Sequence, residues 1–150
     1  MKRLLPLAAA FVLVACGSQQ AGYQITDRHH SLSVTRDQQY PGSDWTNYLV
    51  VTRFPECQRR YKLKDSATDS FKMDVYLVEP QVFILNHGKR WYIAETKSCK
   101  WQAYESPPPE PGELIGTFQT KDDGLTWVDK APKKDDKAVA AAPAAPAPAK

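Results

Sequence analysis

No run in this 150-residue chain is apolar for the roughly 20 residues that a bilayer-spanning helix requires. The longest, residues 4–14, is short and broken by Pro6. A helical apolar period is missing too, which argues against a bundle or coiled coil. Histidine is scarce. His29, His30 and His87 form neither HxxxH nor HExxH, the spacings that set two imidazoles on one helix face for zinc. There is no CxxC, no phosphate-cradling glycine loop and no nucleophile elbow. Asp74, Glu79, Glu95 and Glu105 offer carboxylates, but any β domain has such residues. The expectation is therefore a non-catalytic protein without metal or cofactor. No internal repeat is found, and the length leaves no room for a multi-bladed propeller.

A basic domain is also lacking, although the formal charge is +3. Removing Lys2 and Arg3 leaves 18 basic and 17 acidic residues of the original 20 and 17. The stretch after Asp129 holds Lys130, Lys133, Lys134, Lys137 and Lys150 against Asp135 and Asp136. What lies between carries 13 basic and 15 acidic residues, by subtraction from those totals. A nucleic-acid binder concentrates basic charge on its folded domain, so no nucleic-acid partner is expected.

The amino terminus is an address. A positive Met1-Lys2-Arg3 precedes the short apolar run, which ends in Leu13-Val14-Ala15-Cys16. This is the layout of an export signal rather than a membrane anchor. Its end resembles the lipobox of bacterial lipoproteins, in which cleavage leaves the cysteine first and its thiol becomes acylated. The resemblance implies a signal peptide over 1–15, lipidation (palmitate among the acyl chains) at Cys16 and a membrane partner through it. Gly17 and Ser18 follow with no aspartate; by the family's rules this implies the outer membrane over the inner in a Gram-negative envelope. Residues 16–24 are small and polar, and are expected to form a lipidated tether. Residues 131–150 are rich in Ala, Pro and Lys, have little to bury, and are expected to be disordered. Such an arm either touches cell wall or acidic lipid, or is a spacer.

Between them, residues 25–130 alternate with period two. Leu32 and Val34 share a face, as do Phe71, Met73, Val75 and Leu77; residues 47–54, 59–64, 82–85, 90–94, 114–118 and 125–128 are further strand runs. Turn residues separate them. Short strands at this spacing predict an all-β domain: a small antiparallel meander, sandwich or barrel. Residues 81–95 form the clearest hairpin, with Gly88 supplying a positive φ. With Cys16 committed to lipid, Cys57 and Cys99 remain. An exported pair without metal-type spacing predicts a disulfide, enclosing about 40 residues and contributing roughly 4 kcal/mol.

Thr120, Asp122, Gly124, Thr126 and Trp127 fall at the positions of S/T-x-D-x-G-x-T-W. The segment resembles the Asp-box, a structural hairpin best known from sialidases and related propellers, where it repeats once per blade. One copy over eight residues implies a hairpin and no sialidase chemistry.

Three other features invite a binding role. Arg60, Lys62 and Lys64 would share one strand face, suited to an anionic partner, or to guarding a sheet edge, with Asp65 and Asp69 near enough to neutralise them. Trp45 and Tyr48, Trp91 and Tyr92, and Trp101 and Tyr104 pair aromatics that serve either a core or a glycan platform. Adjacent Trp91 and Tyr92 must face opposite ways. Pro107-Pro108-Pro109-Glu110-Pro111 is a stiff connector or a docking segment. The expected function is a membrane-anchored envelope lipoprotein that binds a protein partner or supports envelope organisation. The alternative is a glycan-binding or hydrolase-inhibiting module, with an enzyme third.

Overall fold

The computed structural model describes residues 16–122 and 124–130; the expected signal segment and the expected disordered tail lie outside the described residues. The strands are β1 (Gly17–Asp27), β2 (His30–Gln38), β3 (Trp45–Arg53), β4 (Cys57–Lys62), β5 (Lys72–Glu79), β6 (Val82–His87), β7 (Arg90–Glu95), β8 (Lys100–Tyr104), β9 (Glu113–Lys121) and β10 (Gly124–Asp129). Two antiparallel sheets result: sheet A in the order β1-β2-β3-β4, and sheet B in the order β10-β9-β5-β6-β7-β8. The fold is all-β with one disulfide, Cys57–Cys99, as the alternation and the cysteine count predict.

Period-two alternation builds the interior. Leu32, Val34, Leu49 and Val51 from sheet A meet Met73, Val75, Phe83, Leu85 and Phe118 from sheet B in one buried cluster. Burying a side chain of this size is worth about 1.5–3 kcal/mol. The hairpin of β6 and β7 lies inside sheet B, between β5 and the edge strand β8, and Gly88 at its turn has φ 63°. Tyr92 is buried within and Trp91 lies half-buried on the outer face, as opposite pointing requires.

The expected tether is strand. Residues 17–24 pair with β2 from Gly17↔Gln38 to Gln24↔Ser31. Their polarity reflects a strand whose outward positions are Ser18, Gln20, Gly22 and Gln24, while Ala21 and Tyr23 turn to the core. β8 is likewise inconspicuous in sequence, because Trp101 is its one residue packed on the core.

The sheets meet along two seams. Beside β1 and β10, the Tyr23 and Trp127 rings lie 4.7 Å apart. Beside β4 and β8, the disulfide is joined by a stack in which Trp101 lies 5.3 Å from Tyr61 and 5.2 Å from Tyr92.

The two outer faces differ. Sheet B turns Tyr76, Ile84, Trp91 and Ile93 outward, yet Ile84 is only 3% exposed. The β8–β9 connection explains this. β8 ends where Tyr104 pairs with Trp91, whereas β9 begins where Glu113 pairs with Leu77 at the opposite end of the sheet, beyond β7, β6 and β5. Four strand spacings and three residues along the strand make a diagonal of roughly 22 Å. Nine steps of polyproline geometry reach about 28 Å, so an extended strap spans the outer face with little to spare. Pro108 and Pro111 are half-buried in it. At its end Gly112 lies so near β5 that a Cβ would sit 2.9 Å from the Leu77 carbonyl carbon. The proline run is a roof over sheet B. Sheet A has a polar outer face.

Candidate functional site

Cys16 is exposed and unbridged. It stands directly before β1, and its thiol donates to the Gln39 carbonyl oxygen at 3.2 Å. The pairing of Gly17 with Gln38 fixes it beside the β2–β3 turn. That turn is closed by Ser43 N–H donating to the Tyr40 carbonyl (3.0 Å) and by the Gln38 amide donating to the Ser43 carbonyl (2.8 Å).

Next to it, the outer face of sheet A holds a shallow groove of about 540 Å³ lined by Ser18, Gln20, Thr35, Asp37, Val50, Gln58 and Arg60. The register brings one polar side chain from each of β1, β2 and β4 into a chain of bonds. Ser18 donates to Asp37 Oδ1 at 3.0 Å, and Arg60 donates to Asp37 Oδ2 at 2.8 Å. The Arg60 guanidinium lies 3.6 Å from the Tyr48 ring centroid, on its face. Thr35 Oγ1 is buried there without a hydrogen-bond partner among the described residues.

The expected basic face is therefore divided. Arg60 is held by Asp37, and Lys62 by Asp65 at 3.1 Å. Lys64 lies past the end of β4 and is exposed. Exposed pairs of this kind contribute little to stability, of order 0–1 kcal/mol. Their effect is to remove free positive charge from an edge strand.

The 120–127 segment forms the β9–β10 hairpin, with Leu125 opposite Thr120 and Trp127 opposite Phe118. Thr120 accepts the Phe71 N–H at 2.9 Å and joins the hairpin to the start of β5. Asp122 has φ 34° and, with Gln19, Asp69, Ser70, Thr120, Lys121 and Gly124, rims an open polar hollow. The Trp127 indole N–H donates to Asp129 (2.7 Å), and its ring packs edge-on against Phe118. Gly116, which the motif does not include, makes room for it: a Cβ there would be 2.6 Å from Trp127 Cη2.

The three histidines do not converge. His29 packs near Phe54. His30 bonds Thr26 and Thr96 through its two ring nitrogens. His87 bonds the Lys72 carbonyl (2.8 Å) and stacks on Phe71. Burial holds the pKa of both His30 and His87 below the ordinary imidazole value. Arg53 adds to the effect at His30; at His87 the Lys72 carbonyl opposes it and Arg36 and Arg90 reinforce it.

Sequence reasoning passes over Arg36, whose side chain is fully buried. It donates to Asn47 Oδ1 (2.9 Å), the Asp69 carbonyl (2.7 Å), the Thr68 carbonyl (3.0 Å) and Ser66 Oγ (3.3 Å). The Trp45 and Phe71 rings lie 4.6 and 5.3 Å from its guanidinium carbon. Burial lowers its pKa, with Asp69 opposing the shift. This rivet secures the 63–70 loop and occupies Trp45, whose indole N–H donates to Asp69 (2.8 Å). Of the paired aromatics, Trp45 and Tyr92 are core, Tyr48 is capped by Arg60, and Trp101 closes a seam. A second hollow, of about 350 Å³, lies at that seam between Tyr61, Ile93, Glu95, Lys100, Trp101 and Gln102.

No known protein family, curated protein or solved structure matches the chain.

Proposed function

We propose that the protein is a lipid-anchored, non-catalytic binding module of a bacterial envelope. Cys16 holds it to the membrane and the outer face of sheet A meets a protein partner. The observation that supports this most is the absence of slack between Cys16 and β1. A lipid on that sulfur places sheet A at the bilayer surface, while the roof of prolines leaves sheet A as the open face. Several acyl chains make such anchoring stable, at about 0.8 kcal/mol per buried CH₂. The residues after Cys16 favour the outer membrane.

A second reading takes the sheet A groove for a saccharide. The exposed Gln20 and Gln58 amides and the neighbouring Asp37 suit a polyhydroxylated ligand, such as the glycan chains of a cell wall.

Fractionation tests the anchor. Wild type should sediment with membranes and enter the detergent phase. Cys16→Ser, exported behind a conventionally cleaved signal, should become soluble. Equal partition of both would overturn the proposal. Saturable binding of soluble cell-wall glycan, lost in Gln58→Ala, would replace the protein partner with the saccharide.

A further inference from the structure

We infer that the β2–β3 turn is a second membrane contact, with Tyr40 resting in the headgroup layer of the leaflet that holds the Cys16 lipid. This deepens the anchoring proposal and rests on it. Three observations lead here. First, Cys16 is placed against this turn by strand pairing, not by a flexible leader: Gly17 opposes Gln38, and the Cys16 sulfur lies 3.2 Å from the Gln39 oxygen. Acylation replaces that S–H but leaves the pairing intact. The glycerol-borne chains therefore start within a few ångströms of Gln39.

Second, Tyr40 is 57% exposed although it is a large aromatic. Its backbone is held by two hydrogen bonds with Ser43, Ser43 N–H to the Tyr40 carbonyl and Tyr40 N–H to Ser43 Oγ, and Ser43 is itself fixed by the Gln38 side-chain amide donating to its carbonyl. The turn is thus preset to present the ring. Tyrosine, with an apolar body and a polar tip, is suited to the membrane–water interface.

Third, the tip of the turn, Gln39 to Ser43, carries no charge, and the turn's one ionic group, the exposed Asp44, stands where the chain enters β3, so the tip itself brings no ion into the headgroup layer. The opposite end of sheet A is unlike it: Asp27, Arg28, Arg53 and Glu56 surround the β1–β2 and β3–β4 turns. Two further turns share the Cys16 end: that of β9 and β10, where Gly124 lies beside Gln19, and that of β6 and β7, where His87 stacks on Phe71 below Arg36. They carry Lys89 and Lys121, with the acidic Asp122 directly after Lys121, so both signs of charge stand around the uncharged tip.

The consequence is orientation. β1 would stand away from the bilayer for its eleven residues, a rise of roughly 35 Å. Phe54, the disulfide and the end of β10 would then be at the far end. The sheet A groove would face sideways along the membrane plane.

The test uses the full, lipidated mature protein. With Cys16 acylated and Cys57 paired to Cys99, a thiol introduced by Tyr40→Cys or Phe54→Cys is the free one and takes an environment-sensitive dye. Each protein is reconstituted on vesicles of phosphatidylethanolamine and phosphatidylglycerol, with and without brominated acyl chains. The label at 40 should shift to the blue and be quenched severalfold by brominated lipid; the label at 54, the control for dye partitioning, should remain water-like. A water-like label at 40 on protein that floats with the vesicles overturns this inference and leaves the anchor standing. Equal quenching at both positions overturns the orientation. Protein that fails to float overturns the anchor, and the inference with it.

Discussion

The two seams of the sandwich are closed by different chemistry. At β4 and β8 the closure is covalent: Cys57–Cys99 backs a stack of Tyr61, Trp101 and Tyr92, and Tyr61 donates its hydroxyl to the Cys99 carbonyl. At β1 and β10 there is no covalent link. Tyr23 meets Trp127, Trp127 meets Phe118, and the indole fits because Gly116 has no side chain. The first seam tolerates a loose fit; the Trp101 indole N–H is buried there without an acceptor among the described residues. The second depends on shape. It is also the seam whose strand begins at Cys16, so the part of the fold nearest the proposed lipid is held by packing.

Breaking the covalent seam should have the largest effect. Cys57→Ala with Cys99→Ala removes a link between residues 42 apart, for which the chain-entropy account predicts about 4 kcal/mol. Urea unfolding of the variant against the oxidised protein measures it. A loss well below 1 kcal/mol would mean that the aromatic stack alone closes the seam.

Gly116→Ala comes next, at about 3 kcal/mol, because the new Cβ displaces the Trp127 ring or the Val128 carbonyl, 2.7 Å away. Trp127→Leu should cost less, about 2 kcal/mol, since the ring is half-buried. In the double variant Gly116→Ala/Trp127→Leu the costs should not add, because the clash leaves with the ring. Additive costs would show that Gly116 acts through its backbone.

A smaller effect links pH to packing outside the two seams. His30, which bonds Thr96 across the sheets, and His87 are both resistant to protonation in the fold. In the unfolded chain they take up protons near pH 6.5. The unfolded state thus binds more protons below that pH, and stability falls as pH drops through it. The melting temperature should be lower at pH 5 than at pH 7.5, and His87→Gln should reduce the difference. An unchanged melting temperature across this range would contradict the burial of both rings.

Most of the strands were legible because burial enforces alternation: Phe71, Met73, Val75 and Leu77 all reach the interior as spaced. β1 was not, since a polar outer face and a small Ala21 give no apolar signal. Thr120–Trp127 revealed its hairpin, but not Gly116, whose role depends on a ring eleven residues away. The cysteine pair followed from the count and from the expectation of export. Arg36 was invisible, because its partners are Asn47 on β3 and the distant 66–69 loop, and nothing local marks a charge for burial. Arg60 and Lys62 share a face as read, yet their neutralisation depends on Asp37 and Asp65. The proline run read as a connector; its work as a roof follows from topology, which one sequence does not display.

The proposed anchor requires Cys16 to be the first residue of the mature chain, joined to lipid and running straight into β1. Mass spectrometry of the mature protein from bacterial membranes tests this most directly. It should find an amino-terminal peptide that begins at Cys16 and is heavier by a diacylglyceryl group. A mature terminus elsewhere, with residue 16 present as a free thiol, would contradict the account.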